Sequence, residues 1–395
     1  MKRNNILFIE LCNFIDYPLG GHLSFAKHLA RAMQGTMDLV GKTSEPSPTG
    51  IWLNREIEGY RYNYYNVAVI KKTAEQPLVP SRITDYLLIR KHIGRLGLES
   101  YETIIVQTPE VLLAVPKKYL QKVCLVMPGV ENPLSIARYK IARNFQWAYD
   151  RIFFARAKEV KCVLAAADNS SIQAFVKRSK GSLLPERIFQ FPTRYDANVF
   201  KVQDKQAMRH AHGVADGECM VVTTGRLNWF KGWKLMIDAF SMFEKKHPSA
   251  RLYFIGDGED RKRIEAEIKE HELQSCVKLL GSQPLPLVSE YLSMADLFVM
   301  GSYKEGWSTS LVEAVASGVP CTVTDFSSAK EMVAQGVNGY VLEGRNPLDF
   351  AQLMGKALKL DPHQIERCAV ASRRFSVQNM RKELERILSQ VEIKS

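Results

Sequence analysis

The sequence predicts an α/β protein of two doubly wound domains, and three observations predict it. The chain has 395 residues, too many for one ordinary hydrophobic core and suited to two of about 200 each. Apolar residues make up 46% of it and charged residues 24%, the balance of a globular protein with ample core material. Short apolar runs alternate with helical patterns every ~20–30 residues, as parallel strand–helix units require.

The elements follow in order. "NNILFIEL" is a first strand, followed by the loop "CNFIDYPLGG" and a helix over "HLSFAKHLARAM". Met37–Val40 and "YRYNYYNVAVI" are β-branched and aromatic, hence strands. "ITDYLLIRKHIGRL" reads as a helix, then strand "TIIVQT", a short helix and strand "KVCLVM". A long basic helix over Leu134 to about Glu159 leads to strand "KCVLAAA", helix "SSIQAFVKR" and strand "RIFQFP". The linker falls near residues 193–206. Beyond it strands "CMVVTTG", "ARLYFIG", "VKLLG", "DLFVMG", "PCTVTD" and "GYVLEG" alternate with helices, and Pro362 to Lys394 is helical. The expected boundaries are 1–200 and 201–375, with a terminal helix over 376–395.

Charge is unevenly spread. Residues 1–200 hold 28 Lys/Arg against 17 Asp/Glu, and residues 201–395 hold 26 against 25. A basic half suits an anionic partner or serves solubility; with no recognition motif, nucleic acid is not expected. The seven cysteines are scattered without a C-x-x-C pair, which predicts reduced thiols and no structural zinc site. No apolar run approaches a membrane span and the N-terminus has no signal-peptide pattern, so a cytoplasmic location is expected.

Ligands of open α/β sheets bind beyond the carboxyl ends of the strands, so the loops after strands are where chemistry is sought. After "CMVVTT" comes "GRLNWFKG", with Gly225, Arg226, Lys231 and Gly232. Two cations at a glycine-rich strand-to-helix turn suit a diphosphate, although taken alone they read more readily as an ordinary solvated loop. After "DLFVMG" comes "SYKEGWSTSLVEAVASGVPCTVTD". Here Glu305 lies just past a strand, and the amides from Trp307 to Ser310 open a helix toward an anion. Glu313 has two readings: a ligand-facing carboxylate, or the acid of a Ser-x-x-Glu capping box with Ser310 at the N-cap. Gly20–Gly21 is a weak phosphate-loop signal. No dinucleotide fingerprint, Walker loop, nucleophile elbow or D-x-D pair is present.

Together these motifs resemble the retaining glycosyltransferases of family 4, of the GT-B fold. The resemblance rests on "GRLNWFKG", "EGWSTSLVEAVASGVPCTVTD", "AKEMVAQGVNGY" and "YPLGGHLSFAKHLARAM", and it is strongest over residues 218–345. It implies two Rossmann-like domains facing a central cleft, with the terminal helix crossing back to the first. It implies a nucleotide-sugar donor, UDP-sugars slightly favoured, with no metal or other cofactor. Arg226 and Lys231 would hold the diphosphate and Glu305 would lie beside the donor sugar. Amides of Gly306, Trp307 and Ser308 would read sugar hydroxyls, those of Thr309 and Ser310 would meet phosphate, and Glu313 would bind ribose. Gly20 and Gly21 would face the donor phosphates or the acceptor, Gly225 would line the donor site, and Ser282 in "GSQP" would lie near the base. The acceptor would be a glycan or a lipid-linked glycan for a cell-surface polysaccharide. Many members carry a histidine after the strand equivalent to "KVCLVM"; this chain has "MPGVENPL" there. That departure keeps a non-catalytic binding protein open as an alternative, beside a nucleotide-sugar epimerase. The basic helix has two readings as well: an anionic-membrane surface, or aromatics packed on the sheet.

Overall fold

The computed structural model describes residues 4–17, 21–71, 81–136 and 140–393. The chain divides into two compact units, 1–193 with 380–395, and 194–379.

The first unit is built on an eight-stranded sheet: β1 (Ile6–Ile9), β2 (Met37–Thr43), β3 (Trp52–Ile57), β4 (Tyr60–Val69), β5 (Thr103–Val106), β6 (Val123–Met127), β7 (Cys162–Ala165) and β8 (Ile188–Gln190). Their order is β3-β4-β2-β1-β5-β6-β7-β8, parallel except for β3. The sequence reading did not include β3. It pairs antiparallel with β4 through a turn at Glu58–Gly59, where both residues have positive φ (50° and 81°), as two-residue hairpin turns require. The central strands are buried on both faces, which is why they read as unbroken apolar runs. One face packs Leu7, Ile9, Val106 and Leu125 against Phe153 and Phe154. The other packs Phe8, Ile105 and Val126 against Leu29 and, from the chain's end, Met380, Leu384 and Ile387.

The expected long basic helix is shorter. Pro133–Ile136 and Lys140–Phe145 are 3₁₀ turns, and the α-helix proper is Gln146–Ala157. Asn132 stops the earlier start by turning its side chain onto the Leu134 amide (2.8 Å) and the carboxylate of Asp150 (2.9 Å). Of its aromatics, Phe153 and Phe154 are core, whereas Trp147 is 68% exposed.

The second unit carries β9 (Cys219–Thr224), β10 (Ala250–Ile255), β11 (Val277–Leu279), β12 (Leu297–Met300), β13 (Cys321–Thr324) and β14 (Gly339–Leu342). All pairs are parallel, in the order β11-β10-β9-β12-β13-β14. Growth runs one way from β9 and the other way from β12, so the point where strand order reverses lies between these neighbours. The loops after β9 and β12 leave the sheet side by side at that point, where open α/β sheets take ligands. The stretch read as helical from Pro362 onward holds two helices, Pro362–Ala371 and Val377–Ile393, separated by a 3₁₀ turn over Ser372–Phe375, and the second of them spans the expected terminal helix.

Candidate donor site

Three loops meet backbone to backbone beyond β9, β10 and β12, and glycine makes each contact possible. A Cβ on Gly232 (φ 65°) would fall 1.8 Å from the Gly301 carbonyl oxygen; one on Gly256 (φ 145°) would fall 1.9 Å from that of Gly225. Gly225 itself has φ 131° and leaves a small opening: a Cβ there would lie 3.7 Å from both Lys231 Cε and Ser310 Oγ. Thr224, Gly225, Arg226 and Lys231 all border this opening.

The loop after β12 brings Glu305 to the same place. Its Oε1 accepts from Lys231 Nζ at 2.7 Å and from Ser302 Oγ at 2.7 Å. Glu305 is 13% exposed and Lys231 27%, so the pair is screened less than a surface ion pair. Arg226 differs: it is exposed, and among the described residues its guanidinium has no hydrogen-bond or ion-pair partner.

Two residues that the motif reading passed over hold the Glu305 loop. The carbonyl of Ser302 accepts from Thr324 Oγ1 (2.7 Å) and Arg345 (3.2 Å), and Arg345 also donates to the Gly301 carbonyl. The same guanidinium lies 3.4 Å from the centre of the Tyr303 ring, and Tyr303 donates its amide to the Phe230 carbonyl at 2.8 Å. Arg345 follows β14, so the strand-end rule that found Arg226 and Glu305 covers it too.

The helix after this loop, Thr309–Ala316, is capped by Ser308 and not by Ser310: Ser308 Oγ accepts from the Leu311 amide at 3.3 Å. Ser308 therefore stands at the N-cap, Glu313 lies beyond the first turn, and its capping-box reading falls. Glu313 keeps some exposed surface, yet enough protein surrounds its carboxyl that burial pushes it up to about 8. Among the described residues no donor or cation is placed on it.

The remaining expected residues divide. Ser310 joins the opening beside Gly225 and Lys231. Ser308 is spent, since its amide donates to Ser328 Oγ at 3.2 Å and its hydroxyl caps the helix. Trp307 has its ring buried against Phe375, 5.2 Å away, which leaves backbone as its route to a ligand. Gly306 and Thr309 are half-buried beside Glu305 and at the first helical position. Ser282 is exposed just after Gly281, whose carbonyl takes the Gly256 amide at 2.8 Å. In the first unit, Gly21 begins the helix Gly21–Ala32 and is exposed, while Gly20 lies outside the described residues. Among the described residues one group could hold a cation, Asp238, Glu267 and His271. Lys234 already pairs with both of its carboxylates, and the group lies on helices rather than on the strand-end loops.

The chain resembles known proteins in sequence and in fold. Residues 204–374 match the family model of glycosyl transferases group 1. Mannosylfructose-phosphate synthase of Agrobacterium fabrum is 31% identical over 186 residues, 44% of this chain and 40% of that protein. Matches of this kind span about two fifths or less of the curated relatives' own length. In fold, sucrose-phosphate synthase from Thermosynechococcus elongatus superposes with a TM-score of 0.76 at 16% identity, covering 100% of both chains. HepE of Anabaena, solved with UDP and glucose, gives 0.71 at 20% identity over 98% of this chain and 100% of its own. Residues 204–374 thus match group 1 glycosyl transferases, and the chain has the GT-B fold of two Rossmann-like domains.

Proposed function

We propose that the protein is a retaining, metal-independent glycosyltransferase of family 4 that moves a sugar from a nucleotide-sugar donor to a glycan or lipid-linked acceptor. The observation that carries this reading is the meeting of Lys231, Glu305, Ser310 and the open backbone of Gly225 where strand order reverses. Arg226 and Lys231 supply positive charge for a leaving diphosphate, and such charge acts most strongly where it develops in the transition state. Glu305, fixed by Ser302, meets the hydroxyls of the transferred sugar. Glu313 has an unmatched carboxyl for ribose hydroxyls. The amides of Gly306, Trp307, Thr309 and Ser310 are assigned to sugar hydroxyls and phosphate, and the Ser308 amide already donates to Ser328 Oγ. Retention places attack and departure on one face of the sugar, with the acceptor hydroxyl giving its proton to the leaving phosphate. UDP is the favoured base, in keeping with the UDP bound by HepE of Anabaena.

The acceptor belongs to cell-surface polysaccharide synthesis at the inner face of the cell membrane. Support for that location is the exposed Trp147, Phe145 and Ile152 among Arg143 and Arg151 on one stretch of the first unit, a composition suited to anionic bilayers. No described helix is long and apolar enough to cross a membrane. Co-sedimentation with phosphatidylglycerol vesicles at low salt, reduced by Trp147→Glu, is the expected outcome; no binding removes the membrane from this reading.

Thermal stabilisation by UDP, GDP, ADP and dTDP, without added metal, tests the donor site. At 100 times the dissociation constant a ligand stabilises the fold by about 2.7 kcal/mol. One nucleotide is expected to shift the wild type and to lose its shift in Arg226→Ala. If none shifts the wild type, the donor-site assignment falls.

A further inference from the structure

Arg226 and Lys231 look alike in sequence but stand in different electrostatic situations. An anion can take Arg226 without breaking a protein contact. Lys231 is held by Glu305 at 2.7 Å, and among the described residues Glu305 has one other donor, Ser302 Oγ, on the same oxygen. A ligand that takes Lys231 away leaves a mostly buried carboxylate with a single hydrogen bond and sets a second negative charge beside it. Removing one partner of a desolvated pair costs more than the pair contributes.

We infer that the Lys231–Glu305 pair is a specificity device that couples recognition of the diphosphate to recognition of the sugar, so that the site discriminates against nucleoside diphosphates lacking one. A free diphosphate draws Lys231 from Glu305 and offers nothing in return. A nucleotide sugar brings hydroxyl donors in the same molecule, and these replace the lost ammonium on Glu305. The two halves of the donor then bind better together than separately, which favours donor over spent product after transfer. Ser302 sets the strength of the device, because it is the one bond that Glu305 keeps in either case. The inference rests on the donor-site reading above and adds to it a sign: Glu305 opposes the binding of the diphosphate alone.

The experiment is isothermal titration of wild type, Glu305→Gln and Ser302→Ala with UDP, GDP, ADP and dTDP and with the glucose conjugate of whichever binds, at pH 7.5. Glutamine keeps the shape of Glu305 and removes its charge. Coupling between close charge pairs reaches the equivalent of tenfold or more. Glu305→Gln should therefore bind the free diphosphate about tenfold more tightly than wild type while binding the nucleotide sugar no better, so that the preference for the sugar form collapses. Ser302→Ala should move the other way, weakening the free diphosphate more than the nucleotide sugar. If Glu305→Gln binds the free diphosphate no more tightly than wild type, or gains equally for both ligands, Lys231 serves carboxylate and phosphate at once and the inference is overturned, with the donor site intact. If no diphosphate binds any of the three proteins, the donor-site reading and this inference fall together.

Discussion

Glu10 in the first unit and Glu313 in the second are both raised strongly by burial near the carboxyl edge of their sheets, and the two are treated differently. Glu10 directly follows β1; it is 7% exposed, and burial raises it to about 7. It is nevertheless provided for: Thr108 Oγ1, from just past β5, donates to it at 3.0 Å, and the Lys42–Asp85 pair and Glu110 stand nearby. Glu313 sits in the helix after β12, is raised further, and burial is the sole cause. The protein answers the cost of Glu10 with its own hydroxyl, while Glu313 has no such internal answer. A polar group that the fold leaves unmatched calls for an explanation outside it, and the ribose diol proposed above would supply one for Glu313.

The same contrast holds for the backbone. Near Glu10 a glycine, Gly41, packs against the Tyr64 hydroxyl and the Cys12 carbonyl, whereas beside Glu305 glycine packs on glycine, Gly232 on Gly301 and Gly256 on Gly225. The largest expected effect follows from this. Gly232→Ala and Gly256→Ala would each drive a methyl group to within 2 Å of a carbonyl oxygen at a positive φ. Each should cost about 3–5 kcal/mol of unfolding free energy, the range of severe single substitutions. Gly21→Ala, whose Cβ meets nothing within 4 Å, should stay within about 0.5 kcal/mol. Urea denaturation of the three variants checks this, and an unaffected Gly232→Ala would mean that the loops do not meet as described.

Glu10 gives the next effect. A carboxyl raised from 4.5 to about 7 holds its proton in the folded chain after the unfolded chain has lost it. Stability from this group is therefore present below about pH 4.5 and falls as pH rises toward 7. Glu10→Gln removes that loss, so the variant should gain on the wild type between pH 5 and pH 8 by something on the order of 2–3 kcal/mol. Urea midpoints at the two pH values measure it. A gap that stays constant with pH would show that Glu10 ionises normally.

How much of this was legible in the sequence depended on the kind of interaction. The parallel strands were readable because burial on both faces leaves unbroken apolar runs, and Arg226, Lys231 and Glu305 because they sit where such runs end. β3 was not: Asn54 and Glu56 face water while Arg55 between them turns onto the Lys42 carbonyl (3.1 Å) and the Tyr64 ring, so a charged residue stands where an apolar one would mark the inner face. The N-cap was displaced from Ser310 to Ser308 because both serines fit the local pattern and only the chain's path from β12 selects one. Thr324 and Arg345 act on carbonyls, which carry no residue signature, so only the strand-end rule points to Arg345. The Lys231–Glu305 contact joins residues 74 positions apart, a distance over which spacing says nothing.

The smallest effect is a proton. With a carboxyl at about 8, Glu313 is largely protonated at pH 7 in the free protein. Hydroxyl donors from a ribose favour the charged form and lower that value, so binding should release a proton and strengthen as pH rises from 6 to 8. Titration of the nucleotide at pH 7 in two buffers of different ionisation enthalpy counts the protons. Release should approach one per site in the wild type and vanish in Glu313→Gln, with affinity reduced about tenfold for the weakened hydrogen bonds. Glu10, close to half ionised at the same pH, is the competing source, and Glu10→Gln should leave the release unchanged. Were Glu10→Gln to abolish it instead, the nucleotide would be titrating the first unit, and the contrast between the two carboxyls would have to be reversed.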